Sequence, residues 1–556
     1  MAVSRLFKIS AKPRAPLRLA AGATFVALVW HTSPSVLSGE STPSLSGETI
    51  HRAFDGVART SRAIYAISSI VVDYKYSLWG LPLGSSDYRS KLPEVHLRAA
   101  KKLLKLCEAN GGFYVKAGQF VSSLRHVPKE YSLILSSLQD QVNPCNINDI
   151  KEVIFKSLGE DSLKLFRSFD EKPIAAASIA QVHYGTLRNN QEVAIKVQYP
   201  DLEQRMKIDF TTMTILSKSV SMVFPGYKFD QVLSEFKRTI SLELDFIQEG
   251  TNSERAARNF KKNKSIRIPR VYWDLTTSQV LTMEFCRGSK VDDLEFLKDS
   301  GVNTVKVAKA LIEAFAEMIF VHGFVHGDPH PGNILVSVEG NKSFSLVLLD
   351  HGIYRELDEQ FRLDYCKLWK ALILLDSQNI INVGKRFGVG KYSKYFPVIF
   401  TGRTLESKSA LGTQMSKEEK KSLKRELQSL RMEDISSFTE SLPPEFLSIL
   451  RTDGLLSSIS SKLGAPRRMR LLAYAKYAVY GLATHSSSNP DKYGLSKFRA
   501  NMSYLQLRAY IEFMAFLFKI KDFKLSLADK LRIILREFTK VTQFIYDVMF
   551  FSLGTL

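Results

Sequence analysis

The chain has 556 residues, 45% of them hydrophobic and 11% aromatic, which excludes wholesale disorder and leaves room for more than one core. Its 77 basic and 56 acidic side chains give a net charge of +21, which favours an anionic partner without separating nucleic acid, acidic phospholipid and nucleotide. Cys107, Cys145, Cys286 and Cys366 lie far apart with no Cys-x-x-Cys pair, which argues against a zinc module and against a disulfide-built scaffold.

Residues 1–39 contain Arg5, Lys8, Lys12, Arg14 and Arg18 and no acid before Glu40, the composition of a mitochondrial presequence. A secretory signal fits the same template. The apolar run 19–30 is short for a bilayer-spanning helix, which needs about 20 residues. A linker rich in Ser, Thr, Pro and Gly completes a segment 1–48. Residues 49–160 are expected to form a helical extension, since Leu97, Ala100, Leu103, Leu104 and Cys107 recur at three-and-four spacing.

The pattern then changes. Residues 180–187 and 192–197 read as strands flanking Arg188, Asn189, Asn190 and Gln191, where asparagine tolerates the positive φ of a hairpin turn. A helical stretch is expected over 229–259, and strand-like runs over 270–273 and 279–285. Val305, Ala308, Leu311, Ile312, Phe315 and Ile319 predict a helix stopped by Gly323. Short strands are expected at 334–336 and 346–349, and everything beyond about 358 reads as helix. Mostly strand followed by mostly helix, joined near residue 286, predicts an α+β, two-lobed protein-kinase-like fold. Its parts are an N-lobe over 161–288, a C-lobe over 289–400 and a helical C-terminal region over 401–556. In that last region Leu531, Ile534, Leu535, Phe538, Val541, Ile545, Val548 and Met549 form an apolar stripe beside Lys530, Arg532, Arg536 and Lys540. Such a helix either packs on the domain or lies on a membrane surface.

The chemistry concentrates in His326-Gly327-Asp328-Pro329-His330-Pro331-Gly332-Asn333, followed by a β run and Asp350-His351-Gly352. Phosphoryl transfer needs metal ions on the phosphates and a carboxylate for the nucleophile's proton. Asp328 and Asn333 match the kinase pairing of catalytic Asp and metal-binding Asn, and Asp350 takes the place of the second metal ligand. Turn residues alone would explain the first loop, but not a second strand-flanked Asp-x-Gly at kinase spacing. His326 and His330 lack a third ligand and are expected to hold the loop. Lys196, closing Val193-Ala194-Ile195-Lys196, matches the lysine on the α/β-phosphates, and its orienting glutamate is expected between Leu242 and Gly250. Where a glycine-rich loop would cover the phosphates, Ala175-Ala176-Ala177-Ser178 stands instead, with Cβ atoms that restrict the approach of backbone amides. The segment 384–391 resembles a phosphate loop but misses the spacing and reads as a turn between helices. Lys116-Ala117-Gly118-Gln119 reads as a polar interruption of a helix.

These residues resemble the aarF-domain (UbiB-type) family of atypical kinases over roughly residues 90–370. Lys116, Gly118 and Gln119 resemble its K-x-G-Q signature, Ala175 to Gln181 its alanine-rich loop, and Glu243 with Asp245 its E-x-D motif. The resemblance implies that Lys196, Glu249 and Glu284 contact the nucleotide with Ala175, Ala176, Ala177 and Ser178, and that Asn333 and Asp350 bind Mg²⁺. It implies pairs Lys116–Glu243 and Lys196–Glu249, with the K-x-G-Q segment over the place where a peptide would dock. It further implies ATP and Mg²⁺ as cofactors, weak ATPase activity, and work on coenzyme Q or lipid at the mitochondrial inner membrane. The expected partners are adenine nucleotide and an anionic or isoprenoid lipid or membrane surface, not nucleic acid. A pseudokinase binding module and a small-molecule kinase of the aminoglycoside or choline type are the alternatives.

Overall fold

The computed structural model describes residues 47–82, 85–123, 127–139, 144–159, 161–224, 243–340, 343–404, 441–485 and 498–513, with scattered positions between 233 and 241, 418 and 423, and 516 and 539. The expected targeting segment and most of the C-terminal stripe lie outside the described residues.

The upper sheet runs Phe166–Phe169, Ala180–Leu187, Glu192–Gln198, Val280–Glu284, all antiparallel, with Ala175–Ala176 added on the second strand. Asn190, at φ +65°, supplies the positive-φ position of the expected hairpin. Alternation decides what each face meets. Val193, Ile195 and Val197 pack with Ile150, Val153 and Ile154 of helix Ile147–Leu158. Lys196 therefore points to the opposite face. There, helices Gly47–Ser77, Ser86–Asn110 and Gly112–Ser123 share one core with helix Leu202–Val223 through Ala63, Leu106, Phe113, Met206 and Leu216, joined by Phe246 and by Leu281 of the sheet. A buried Arg59–Asp209 ion pair, 3.2 Å from Nε to Oδ1, ties the first of these helices to the fourth.

The lower lobe is organised by register. Phe324–His326 pairs with Tyr354–Glu356, placing His326 opposite Tyr354. Ile334–Glu339 pairs with Ser343–Leu348, placing Ile334 opposite Leu348. The chain segments joining these two ladders are 327–333 and 349–353, so they lie side by side. Helix Thr304–Glu317 supports them from below with Leu311, Ala314 and Phe315, and a wider turn Met318–His322 ends at Gly323 with φ +63°. Helices Glu359–Leu374 and Phe396–Thr401 share a core with Pro444–Lys462 and Arg467–His485, through Phe361, Tyr365, Trp369, Phe400, Phe446 and Tyr474. The packing therefore runs straight through the boundary drawn at residue 400.

Three elements depart from expectation. Helix Leu202–Val223 was not legible, because its Thr and Ser residues lower helix propensity. In place, the hydroxyls of Thr211, Thr214 and Ser219 donate to carbonyls four residues back and satisfy themselves within the helix. The run 270–273 is no strand but an isolated bridge, Val271 to Met283, leading into a 3₁₀ turn Trp273–Leu275. The strand Tyr354–Glu356 was not expected, being too short to show a period. The turn expected around 384–391 separates helix Ser377–Arg386 from the 3₁₀ turn Gly390–Tyr395. Among the described residues no helix is long and apolar enough to cross a membrane.

Candidate functional site

Lys196 is fixed from above and below. Its Nζ lies 2.8 Å from both carboxylate oxygens of Glu249 and 3.8 Å from Oδ2 of Asp350. Burial opposes the charge on Lys196, but Asp350 and Glu249 outweigh it and hold the ammonium above lysine's ordinary value. Glu249 is the orienting glutamate among the expected candidates. It sits on helix Phe246–Phe260, whose N-cap is the Asp245 carboxylate accepting from the Ile247 amide at 3.0 Å. The aspartate of E-x-D thus starts the helix that carries Glu249. From the same helix Asn252 donates to the His351 carbonyl at 3.0 Å, so one element grips both Lys196 and the Asp350 loop.

The Asp350 loop is built on hydrogen bonds rather than on an apolar side chain. His351 is 1% exposed; its Nε2 donates to the Leu348 carbonyl at 3.1 Å and its Nδ1 accepts from the Tyr354 hydroxyl at 3.0 Å. The Gly352 amide donates to Oδ1 of Asp350 at 2.9 Å. Burial works against ionisation of Asp350, yet Lys196, the Gly352 amide and Lys116 hold its carboxyl well below the usual range. Asp350 and the neighbouring loop are stitched by His326, which accepts the Asp328 amide at Nδ1 (3.1 Å) and donates from Nε2 to the Asp350 carbonyl (2.7 Å). Burial keeps His326 neutral, as that tautomer requires. His330 accepts the Gly332 amide at 3.2 Å, so both histidines hold the loop, as expected. Among the described residues no cluster of His, Cys, Asp and Glu has the make-up of a protein-only metal site.

Asn333 donates from Nδ2 to the Asp328 carbonyl at 3.1 Å and to its Oδ2 at 3.4 Å, which leaves the amide oxygen of Asn333 for another partner. The other carboxylate oxygen of Asp328 faces Arg451 of helix Pro444–Lys462, 4.0 Å away. No spacing rule joins Arg451 to the motif loops, and sequence reasoning missed it.

Helix Gly112–Ser123 brings Lys116 to these groups. Lys116 pairs with Oε2 of Glu243 at 2.5 Å. Burial opposes the charge on Lys116; Glu243, Asp350 and Asp328 together keep it protonated. Gly118 packs where a Cβ would stand 2.4 Å from Leu138 Cδ1 and 3.1 Å from Cys107 Sγ, and Gln119 donates to the Leu138 carbonyl at 3.0 Å. The K-x-G-Q residues thus divide: Lys116 turns to the carboxylates, while Gly118 and Gln119 seat the helix. The alanine-rich turn is closed by the Ala177 amide on the Ala180 carbonyl and by the Tyr199 hydroxyl on the Ala177 carbonyl, both 2.8 Å. Ala175 and Ala177 are exposed, whereas Ser178 is buried and its hydroxyl has no partner among the described residues. The Glu284 carboxylate is engaged by the Arg267 guanidinium and the Arg270 amide.

Two lobes, a lysine–glutamate pair from the upper one, and an aspartate, asparagine and second aspartate from the lower one define a kinase-like arrangement. Residues 137–384 match the ABC1 atypical kinase-like domain. The chain is 38% identical over 442 residues to AarF domain-containing protein kinase 1 of Xenopus tropicalis, covering 78% of this chain and 84% of that one. It is 35% identical over 422 residues to AarF domain-containing kinase 1 of Drosophila melanogaster, covering 74% and 81%. Among solved structures it is similar to Rv3197 of Mycobacterium tuberculosis in complex with erythromycin, with TM-score 0.46, 20% identity and coverage of 70% and 99%. The chain belongs to the ABC1/aarF family of atypical kinases.

Proposed function

We propose that the cleft binds Mg–ATP and cleaves its terminal phosphoryl group, with water as the default acceptor. The observation that carries this reading is the convergence of Lys196, Glu249, Asp350, Asn333 and Asp328 on one cleft wall to wall, held there by independent elements. Lys196, oriented by Glu249, would meet the α/β-phosphates. Asn333 and Asp350 would hold Mg²⁺: both offer hard oxygen, and two protein ligands suit an ion that takes the rest from phosphate and water. Bound Mg²⁺ supplies charge neutralisation on the phosphates. Asp328 receives the proton of the attacking hydroxyl or water, and Ala175, Ala176, Ala177 and Ser178 roof the phosphates. Helix Gly112–Ser123 brings Lys116 onto Glu243 beside the carboxylates, and family membership implies that this segment covers the place where a peptide would dock, which favours water or a small acceptor.

The setting we assign is the mitochondrion, with a role in lipid or coenzyme Q handling at the inner membrane. The acid-free, arginine-bearing N-terminus supports the first part, and family membership the second. The test uses the full chain with and without vesicles of anionic phospholipid. Mg–ATP raises the melting temperature of the protein, phosphate is released slowly, and Asp350→Asn removes both. Absence of any shift at saturating Mg–ATP sinks the reading.

A further inference from the structure

Helix Pro444–Lys462 lies beyond the residues matched by the kinase-like domain, yet it brings a cation to the catalytic-loop aspartate. Its N-terminal half is anchored by Phe446 and Ile449 in the aromatic core shared with Phe361 and Tyr365. Its C-terminal half is anchored by Leu456, Ile459 and Leu463 in the core of helix Thr304–Glu317. Thr452, between the anchors, is fully buried, and Asp453 is held by the Tyr474 hydroxyl at 2.8 Å. A helix pinned on both sides of one position fixes that position closely, and the residue there is Arg451. Its guanidinium is 4.0 Å from Oδ1 of Asp328, while Oδ2 of Asp328 faces Asn333.

This pair has little to do with stability. Both side chains are more than a third exposed, and a loose exposed ion pair contributes about 0–1 kcal/mol. A direct fork on Asp328 is not made either, since 4.0 Å exceeds hydrogen-bond reach. The guanidinium therefore stands beside the Asp328 carboxylate without a direct hydrogen bond to it, half-exposed at the same loop. Of the other site cations, Lys116 and Lys196 are each drawn onto a glutamate. Among the described residues, Arg451 is the cation that forms an ion pair with Asp328, which puts a guanidinium beside the carboxylate that faces the acceptor.

We propose that Arg451 is a further residue of the site, supplied in cis by the C-terminal helical region to bind the anionic oxygens of the transferring phosphoryl group. The proposal rests on the phosphoryl-transfer reading above. Arginines in this role act on the transition state more than on bound nucleotide, because the charge on the equatorial oxygens is placed differently there.

The test compares wild type with Arg451→Ala and Arg451→Lys in phosphate release, in Mg–ADP binding, and in Mg–ADP binding with aluminium fluoride as a transition-state mimic. Arg451→Ala is expected to keep the melting temperature and Mg–ADP affinity, to lose roughly 10²-fold in kcat, and to lose at least about tenfold in the fluoride-dependent gain in affinity. Arg451→Lys, or guanidinium ion added to Arg451→Ala, recovers part of the rate. A kcat within threefold of wild type overturns the proposal, and so does a loss confined to Mg–ADP affinity. If wild type itself neither binds nor hydrolyses Mg–ATP, the phosphoryl-transfer reading has failed. If wild type does both and Arg451→Ala matches it, only the assignment of Arg451 has failed.

Discussion

Lys196 and Glu249 meet at 2.8 Å through both carboxylate oxygens, and Asp350 stands 3.8 Å from the same ammonium. One cation thus serves a carboxylate from the upper lobe and another from the lower. Its loss is felt in both lobes at once.

Glu249→Gln keeps the shape but removes a charge that is 2% exposed. Breaking a buried pair on one side costs up to roughly 3–5 kcal/mol, and Asp350, still near Lys196, should hold the loss toward the lower figure. Urea unfolding should show that loss, and isothermal titration should show Mg–ATP affinity falling by at least about tenfold. Unchanged stability and affinity would mean that the pair is incidental.

His351→Phe restores the residue that kinases carry in this triplet, yet it should not stabilise this protein. The Tyr354 hydroxyl would lose its acceptor and the Leu348 carbonyl its donor, both in the interior. Stranding buried polar groups costs about 1–3 kcal/mol each. The double variant His351→Phe with Tyr354→Phe should recover part of this loss in thermal melts. Mg–ATP binding should persist, since Asp350 is untouched.

Gly481→Ala probes the lower core away from the cleft. An added Cβ would stand 2.1 Å from the Phe320 carbonyl oxygen and 2.9 Å from Cys366 Sγ. The nearest obstacle is backbone, so the helices must separate, at a cost of at least about 2 kcal/mol. A melting temperature equal to wild type would contradict this packing.

Acid should destabilise the fold through His322. Burial lowers its pKa to about 4, and its Nδ1 has no partner among the described residues. Above about pH 6.5 the folded and unfolded chains both carry it neutral, and its contribution is constant. As the pH falls from 6.5 to 4 the unfolded chain takes up a proton that the folded one refuses, so stability drops by an amount approaching about 3 kcal/mol. Chemical unfolding across that window should show the slope, and His322→Phe should reduce it by about one proton's worth, the other buried histidines keeping the rest.

The site was legible where its chemistry is local. Asp328, Asn333 and Asp350 sit in loops whose spacing along the chain reflects the two ladders that hold them. Lys196 announces itself by closing a strand. Lys116 was recognisable only through family resemblance, because nothing in a helical Lys-x-Gly-Gln says which carboxylate it will reach. His351 showed its identity but not its two hydrogen bonds, which depend on Tyr354 in an unexpected strand. Arg451 left no trace, since its place is set by which cores anchor Phe446 and Leu456. Helix Leu202–Val223 was hidden by hydroxyl side chains that bond within their own helix.

The shared aromatic core through Phe400 and Phe446 sets a limit on how this protein can be cut. A fragment ending near residue 400, which would retain every motif residue, would bare Phe361, Tyr365 and Trp369 to water and strip Leu456, Ile459 and Leu463 from the core of helix Thr304–Glu317. Proteolysis or premature termination there would give an insoluble product in place of a minimal enzyme.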